Sequence, residues 1–264
     1  MTYGLDFDSL LERTQHDLFW LPEGVRVVDR PEILYLAADR NVGYLNTVLR
    51  VRAADARVPA LVAEVGLAHE HVDSRWALVG ESRRAAVERA LSAAGYRAEH
   101  EHFAYSTAVD TFRARRSDPR IVVRRVTDAD GLRACVEVSG RAFGRMEPFE
   151  PTVLAAELDA CARDAARVQR FVAYDAATGE PLASAGLNSY PALRFGFLWA
   201  GGTVPEARGR GAYSALVASR VSRARELGLL AVGLYARVGT SAPIVERQGF
   251  ARGGPMTYWM RPRR

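Results

Sequence analysis

Apolar positions recur at helical spacing from Leu5 to Trp20, through Leu10, Leu11, Leu18 and Phe19, and the run stops at Leu21-Pro22. Ile33–Ala38 and Val42–Val51 then read as strands, Pro59–His69 as a short helix and Trp76–Val79 as a buried strand. Glu81–Ala94 is amphipathic through Ala86, Val87, Ala90 and Leu91; Gly95 ends that helix, and Glu99–Ala108 alternates as a strand does. From Phe112 to Arg120 the periodicity is broken by charge, serine and proline, which marks a linker.

The second half reads as a strand (Ile121–Val126), a helix capped by Asp128 or Asp130 and reaching Phe143, and a further helix from Pro151 to about Ala166. A hairpin of Arg170–Tyr174 and Pro181–Asn188 turns at Ala177-Thr178-Gly179-Glu180. Leu193–Val204 is a long strand, Gly211–Leu227 a helix, Leu229–Ala236 a strand, Ser241–Gln248 a short helix and Pro255–Met260 a last strand. A faint echo joins the halves: Gly95-Tyr96 and Gly249-Phe250 each follow a helix and precede an aromatic strand. The division expected is therefore residues 1–115 and 116–264, the first a truncated repeat of the second.

A length of 264 residues suits two domains better than one core, and 48% hydrophobic with 25% charged residues is the balance of a globular chain. All 36 basic residues are arginine, so the net charge of +5 reflects codon bias as much as a polyanionic partner. No basic run is interleaved with aromatics, and no nucleic-acid partner is expected. Cys135 and Cys161 both fall in helical stretches, as buried thiols rather than a disulfide framework. Met1–Leu10 lacks the features of a signal peptide and no run has the ~18 apolar residues of a membrane span, so a soluble, cytoplasmic protein is expected.

Chemistry concentrates at Thr203-Val204-Pro205-Glu206-Ala207-Arg208-Gly209-Arg210-Gly211-Ala212-Tyr213. Here a strand ends, a loop holds two glycines, and a helix begins whose first N–H groups lack helical partners and carry the positive dipole end. Gly209 and Gly211 let a phosphate approach the main chain; Arg208 and Arg210 add charge. A triphosphate loop is excluded because its lysine is absent, and the dinucleotide fingerprint lacks its third glycine.

The loop resembles that of the GNAT superfamily of N-acetyltransferases: Arg or Gln, two residues, Gly, one residue, then Gly or Ala. Arg208, Gly211 and Tyr213 occupy those places, and Tyr213 departs from the small-residue rule. The resemblance spans about 140 residues in the family's element order and includes Pro243–Phe250, which is similar to the helix and Gly-Phe step closing the acetyl-CoA site. It implies an α/β (by some schemes α+β) chain of two GNAT-like domains, each a mixed, mostly antiparallel sheet flanked by helices. It also implies acetyl-CoA as co-substrate, held by Gly202, Thr203, Val204, Arg208, Gly209, Arg210, Gly211, Ala212 and Tyr213, with the pantetheine arm between diverging strands. The paired Gly201-Gly202 suits a bulge or a close ligand there. The first half, with Ala53–Pro59 in place of a glycine loop, is expected to wall the acceptor site or the face between the domains.

The chemistry implied is direct attack of a neutral amine, of a small molecule or peptide, on the thioester in a ternary complex. Backbone N–H groups near Gly202–Val204 would receive the oxyanion. The glutamate that relatives use as base is replaced by Phe197, and the tyrosine used as acid by Val245, which leaves Ser241 and Tyr235 as candidate catalytic hydroxyls. Those two losses keep alternatives open: a non-catalytic acyl-CoA-binding or interaction module, or an acyltransferase for a longer acyl group. Glu147, Glu150 and Glu157 fall where the acceptor would be covered, either to attract a cationic amine or as ordinary helix-start carboxylates. The pairs His69/His71 and His100/His102 would make a zinc site if they met in space; the flanking glutamates read instead as solvated charged edges, and no metal is expected.

Overall fold

The computed structural model describes residues 6–114, 118–144 and 151–263. Its first elements are α1 (Phe7–Thr14), β1 (Arg26–Arg30), β2 (Ile33–Ala37), β3 (Thr47–Val51), α2 (Val58–Ala68), β4 (Ser74–Val79), α3 (Ala85–Ala93) and β5 (Arg97–Ala108). There follow β6 (Ile121–Arg125), α4 (Ala129–Phe143), α5 (Pro151–Ala162), β7 (Val168–Asp175), β8 (Pro181–Tyr190), β9 (Phe195–Thr203), α6 (Ala212–Glu226), β10 (Ala231–Arg237), α7 (Ala242–Arg247) and β11 (Ala251–Arg261). No described helix is long and apolar enough to cross a membrane.

Two compact units result, and no single cut in the chain separates them. Unit 1 holds residues 1–104, 235–242 and 253–264; unit 2 holds 105–234 and 243–252. The local pattern could not assign β11 to the first unit, because that membership rests on pairing between residues far apart in the chain: Met256 lies opposite Val79 and Arg261 opposite Ser74, antiparallel.

In unit 1 the strand order is β1-β2-β3-β4-β11, with the first part of β5 beyond it. The pair β3 and β4 is parallel, joined by α2, and is in register only at Thr47/Arg75 and Val48/Trp76. Val58, Leu61, Val62 and Val65 of α2 bury one face against Ile33, Val48, Val51, Trp76 and Leu78. α1 is shorter than the apolar spacing suggests. Asp6 caps it through the Ser9 N–H at 3.1 Å, and it ends where the Thr14 hydroxyl donates to the Leu11 carbonyl at 2.6 Å. Val42–Val51 is not one strand either. The buried Asn46 side chain accepts from the Ala38 N–H at 2.8 Å and donates to the Arg40 carbonyl at 2.8 Å, so a tight turn at Gly43–Leu45 precedes β3.

Unit 2 carries the second part of β5, then β10-β9-β8-β7-β6. All its registered pairs are antiparallel except β9 with β10, which are parallel and joined by α6. Strand, helix, parallel strand therefore occurs once in each unit. α4 starts where Asp128 accepts from the Gly131 N–H at 2.8 Å and stops at Gly144, φ +69°. Its inner face, Leu132 and Cys135, packs with Cys161 of α5 and Val172 of β7, and burial pushes the Cys135 thiol up, out of reach of ionisation near neutrality.

Candidate acyl-donor site

β9 is the strand on which the site is built. It pairs with β10 only at Phe195/Ala231, Gly196/Val232 and Phe197/Gly233, yet continues to Thr203. On its other side the register with β8 slips, Trp199 facing Gly186 but Gly202 facing Ser184, so two residues of β9 oppose one of β8. Ala200 sits at the bulge with φ +46°. Past Phe197 the β10-facing edge of β9 thus has no registered strand partner.

The paired glycines admit protein groups on both faces. A Cβ on Gly201 would lie 2.7 Å from the Tyr213 ring, and one on Gly202 2.8 Å from the Ala142 Cβ of α4. Tyr213 therefore occupies the place of a small residue because Gly201 is small. Beneath it the buried Arg220 guanidinium donates to the carbonyls of Leu216 at 3.1 Å and Gly186 at 3.0 Å. Burial lowers the pKa of this cation to about 10, an effect opposed by the Tyr213 hydroxyl.

Arg208, Gly209, Arg210 and Gly211 are exposed, while Ala212 is buried. Gly209 and Gly211 take φ of +79° and +88° with open space where a Cβ would project, so they are required by the backbone path itself. Gly211 is the N-cap of α6, and no side chain caps the first turn. Arg210 is ion-paired with Asp175, whose carboxyl is held below its usual range by the Ala177 N–H and by Arg210. The Val204 N–H is already spent on the Leu182 carbonyl at 3.0 Å, which narrows the oxyanion donors expected from Gly202–Val204.

The other expected residues scatter. Tyr235 lies in unit 1, lining a cavity of about 320 Å³ with Asp8 and Glu12 of α1 and Gly254 of β11; burial, then Tyr258, Glu12 and Asp8, raises its pKa. Ser241 precedes α7, and its Oγ accepts from the Arg237 N–H at 3.0 Å. Phe197 is half-buried and Val245 fully buried. Glu157 is not a lure for cations: it forms an ion pair with Arg170. Glu147 and Glu150 lie outside the described residues. His69 is buried within unit 1 on Leu36 and Ser74, His102 packs edge-on to Tyr258, and His71 and His100 are exposed. Among the described residues no three His, Cys, Asp or Glu side chains form a metal-holding group.

Two constellations in unit 2 have no signal in sequence spacing. On the α4 face of β9, the Trp199 indole N–H donates to Asn188 at 2.8 Å while the Arg170 guanidinium stands 5.0 Å from its ring centre. Tyr105, from β5, donates its hydroxyl to Glu246 beside Val245; burial and that carboxylate push the phenol up to about 12.

No protein-family model matches the sequence, nor does any curated protein. Solved structures do. A GCN5-related N-acetyltransferase from Kribbella flavida superposes with a TM-score of 0.69 at 17% identity, over 96% of this chain and 95% of that one. One from Sphaerobacter thermophilus gives 0.65 at 17%, over 95% and 85%. A tandem GNAT protein from the clavulanic acid biosynthesis pathway gives 0.57 at 13%, over 96% and 87%. The chain therefore has the two-lobed fold of GCN5-related N-acetyltransferases, as the Arg208–Tyr213 loop and its flanking elements imply.

Proposed function

We propose that the chain is an N-acetyltransferase that moves an acetyl group from acetyl-CoA to an amine of a small molecule or peptide in a ternary complex. The observation that carries this reading is the β9 edge: a bulged strand, parallel to β10 for only three residues, that runs into an uncapped helix start through Arg208-Gly209-Arg210-Gly211. The exposed glycine loop and its two arginines fit a diphosphate, and the free edge of β9 fits an amide-bearing arm. Acetyl-CoA supplies the thioester-activated acyl group. The chain's contribution is to hold that group in line and present the main-chain N–H of Thr203 to the developing oxyanion, since Gly202 lies opposite Ser184 of β8.

With Phe197 and Val245 at the positions of the family's base and acid, proton loss from the amine is assigned to solvent. The rate then follows the neutral fraction of the amine and climbs with pH up to the amine's own pKa. Thiol release from acetyl-CoA across a panel of amines tests the reading. Tight acetyl-CoA binding without turnover of any amine would instead assign the fold a binding role, and preference for a longer thioester would assign another acyl group. Tyr235→Phe and Ser241→Ala test the two hydroxyls: a fall in kcat of a hundredfold in either would return the proton to that side chain.

A further inference from the structure

Unit 1 repeats the geometry that makes the β9–β10 gap of unit 2 a ligand site, with different chemistry in it. β3 and β4 are parallel and in register only at Thr47/Arg75 and Val48/Trp76, while β3 runs on to Val51. Crevices beyond the carboxyl ends of diverging parallel strands are where α/β sheets take ligands. A cavity of about 530 Å³ lies there, lined by Val51 and Arg52 after β3 and by Gly80, Glu81, Arg83 and Arg84 after β4. The lining carries three guanidinium groups and the Glu81 carboxylate, and the Glu12 carboxylate stands against Gly80 in the field of Arg52.

The local contacts say which ligands fit. The Ser82 hydroxyl accepts from the Val51 N–H at 2.9 Å, so the β3 edge that would hold an amide arm is closed here. Between β3 and α2 the chain is Arg52-Ala53-Ala54-Asp55-Ala56-Arg57, with no glycine. An acyl-CoA arm is thus disfavoured and a compact anion favoured. The carboxylates near these arginines are loosely engaged: Arg52–Glu81 is 3.7 Å and Arg83–Glu101 3.9 Å, with Glu81 80% exposed. Arg84 is held more firmly, to Asp55 at 3.0 Å and to the Ala53 carbonyl at 2.8 Å, and its buried Nε has no acceptor among the described residues. Guanidinium forks match phosphate oxygens, and a dianion outcompetes exposed carboxylates at such distances.

We infer that this pocket of unit 1 is a second anion site, taking a phosphate or diphosphate group through Arg52, Arg83 and Arg84. The probe is inorganic pyrophosphate, titrated calorimetrically into the whole chain at low salt. Wild type binds two equivalents. Arg52→Glu/Arg83→Glu weakens one of them at least tenfold and leaves acetyl-CoA affinity unchanged, whereas Arg208→Glu/Arg210→Glu weakens the other. Arg52→Gln/Arg83→Gln, which removes charge without reversing it, shows the same loss in smaller degree and serves if the double glutamate variant melts early. Competition by AMP or by inorganic phosphate tells an esterified ligand from the free anion. Pyrophosphate binding of wild-type stoichiometry and affinity in both Arg52/Arg83 variants would overturn the inference while leaving the unit 2 reading intact. Unchanged acetyl-CoA affinity in Arg208→Glu/Arg210→Glu would do the reverse.

Discussion

Acid should loosen unit 1 through a single buried ring. The His69 Nε2 lies 2.7 Å from the Leu36 carbonyl, which can only accept, so the proton sits on Nε2. Nδ1 then accepts from the Ser74 hydroxyl at 2.8 Å, and Ser74 in turn accepts from the Tyr96 hydroxyl at 2.7 Å. A second proton on the ring would reverse this buried chain. Burial, with Arg261 and Arg26 nearby, pushes His69 down to about 4. The folded state therefore binds fewer protons than the unfolded chain between pH ~6.5 and ~4, and stability is complete above that window and lost as pH falls through it. At ~1.36 kcal/mol per pH unit the full loss approaches ~3 kcal/mol, of which ~2 kcal/mol is gone between pH 7 and pH 5. His16, pushed to about 4 by burial and by Arg50 and Arg52, adds a second titration of the same sign. Replacing His69 with Gln keeps a donor for Leu36 and an acceptor for Ser74 but removes one titration. Urea unfolding followed by circular dichroism at pH 7, 6 and 5 should show the pH-dependent loss in His69→Gln smaller than in wild type by ~2 kcal/mol. Parallel pH dependences in the two chains would refute the assignment.

Three other outcomes follow from the same contacts. Gly186→Ala would place a Cβ 2.1 Å from the Trp199 ring, which Asn188 and Arg170 hold from other sides, so a loss of ~3 kcal/mol or more and a shifted tryptophan emission are expected in thermal and fluorescence scans. Asp128→Ala removes the cap of α4 and should cost ~1 kcal/mol in denaturant unfolding, with Asp128→Asn recovering most of it. Acetyl-CoA affinity should fall as salt rises, and Arg208→Glu/Arg210→Glu should cost ten- to a hundredfold in Kd and flatten that salt dependence, measured by calorimetry.

What could be read from the chain follows how local each signal is. α4 was legible at both ends because Asp128 and Gly144 do their work within a few residues of the helix. The backbone of the Arg208–Gly211 loop was legible for the same reason, since its two glycines take positive φ and lead into a helix start with no side-chain cap. β1 escaped because Arg26–Arg30 is mostly exposed and shows little apolar alternation. The extent of Leu5–Trp20 was overread because a hydroxyl, Thr14, ends the helix while the apolar spacing goes on. Tyr105 meets Glu246, and Arg52 and Arg83 come to line one cavity, only through the fold, which no periodicity along the chain encodes.

The place of β11 sets an order of events in synthesis. β4 leaves the ribosome with one antiparallel neighbour still to be made, and β5 through α7 must all be translated before Met256 can reach Val79. The sheet of the first-born unit is thus closed late, by a segment carrying the highest loop-closure cost in the molecule. Until then the β4 edge, flanked by the apolar Trp76 and Leu78, is an open template for a neighbouring nascent chain. Chaperone demand should therefore track the interval between β4 and β11, and a circular permutant that brings β11 ahead of β1 should refold faster at equal stability.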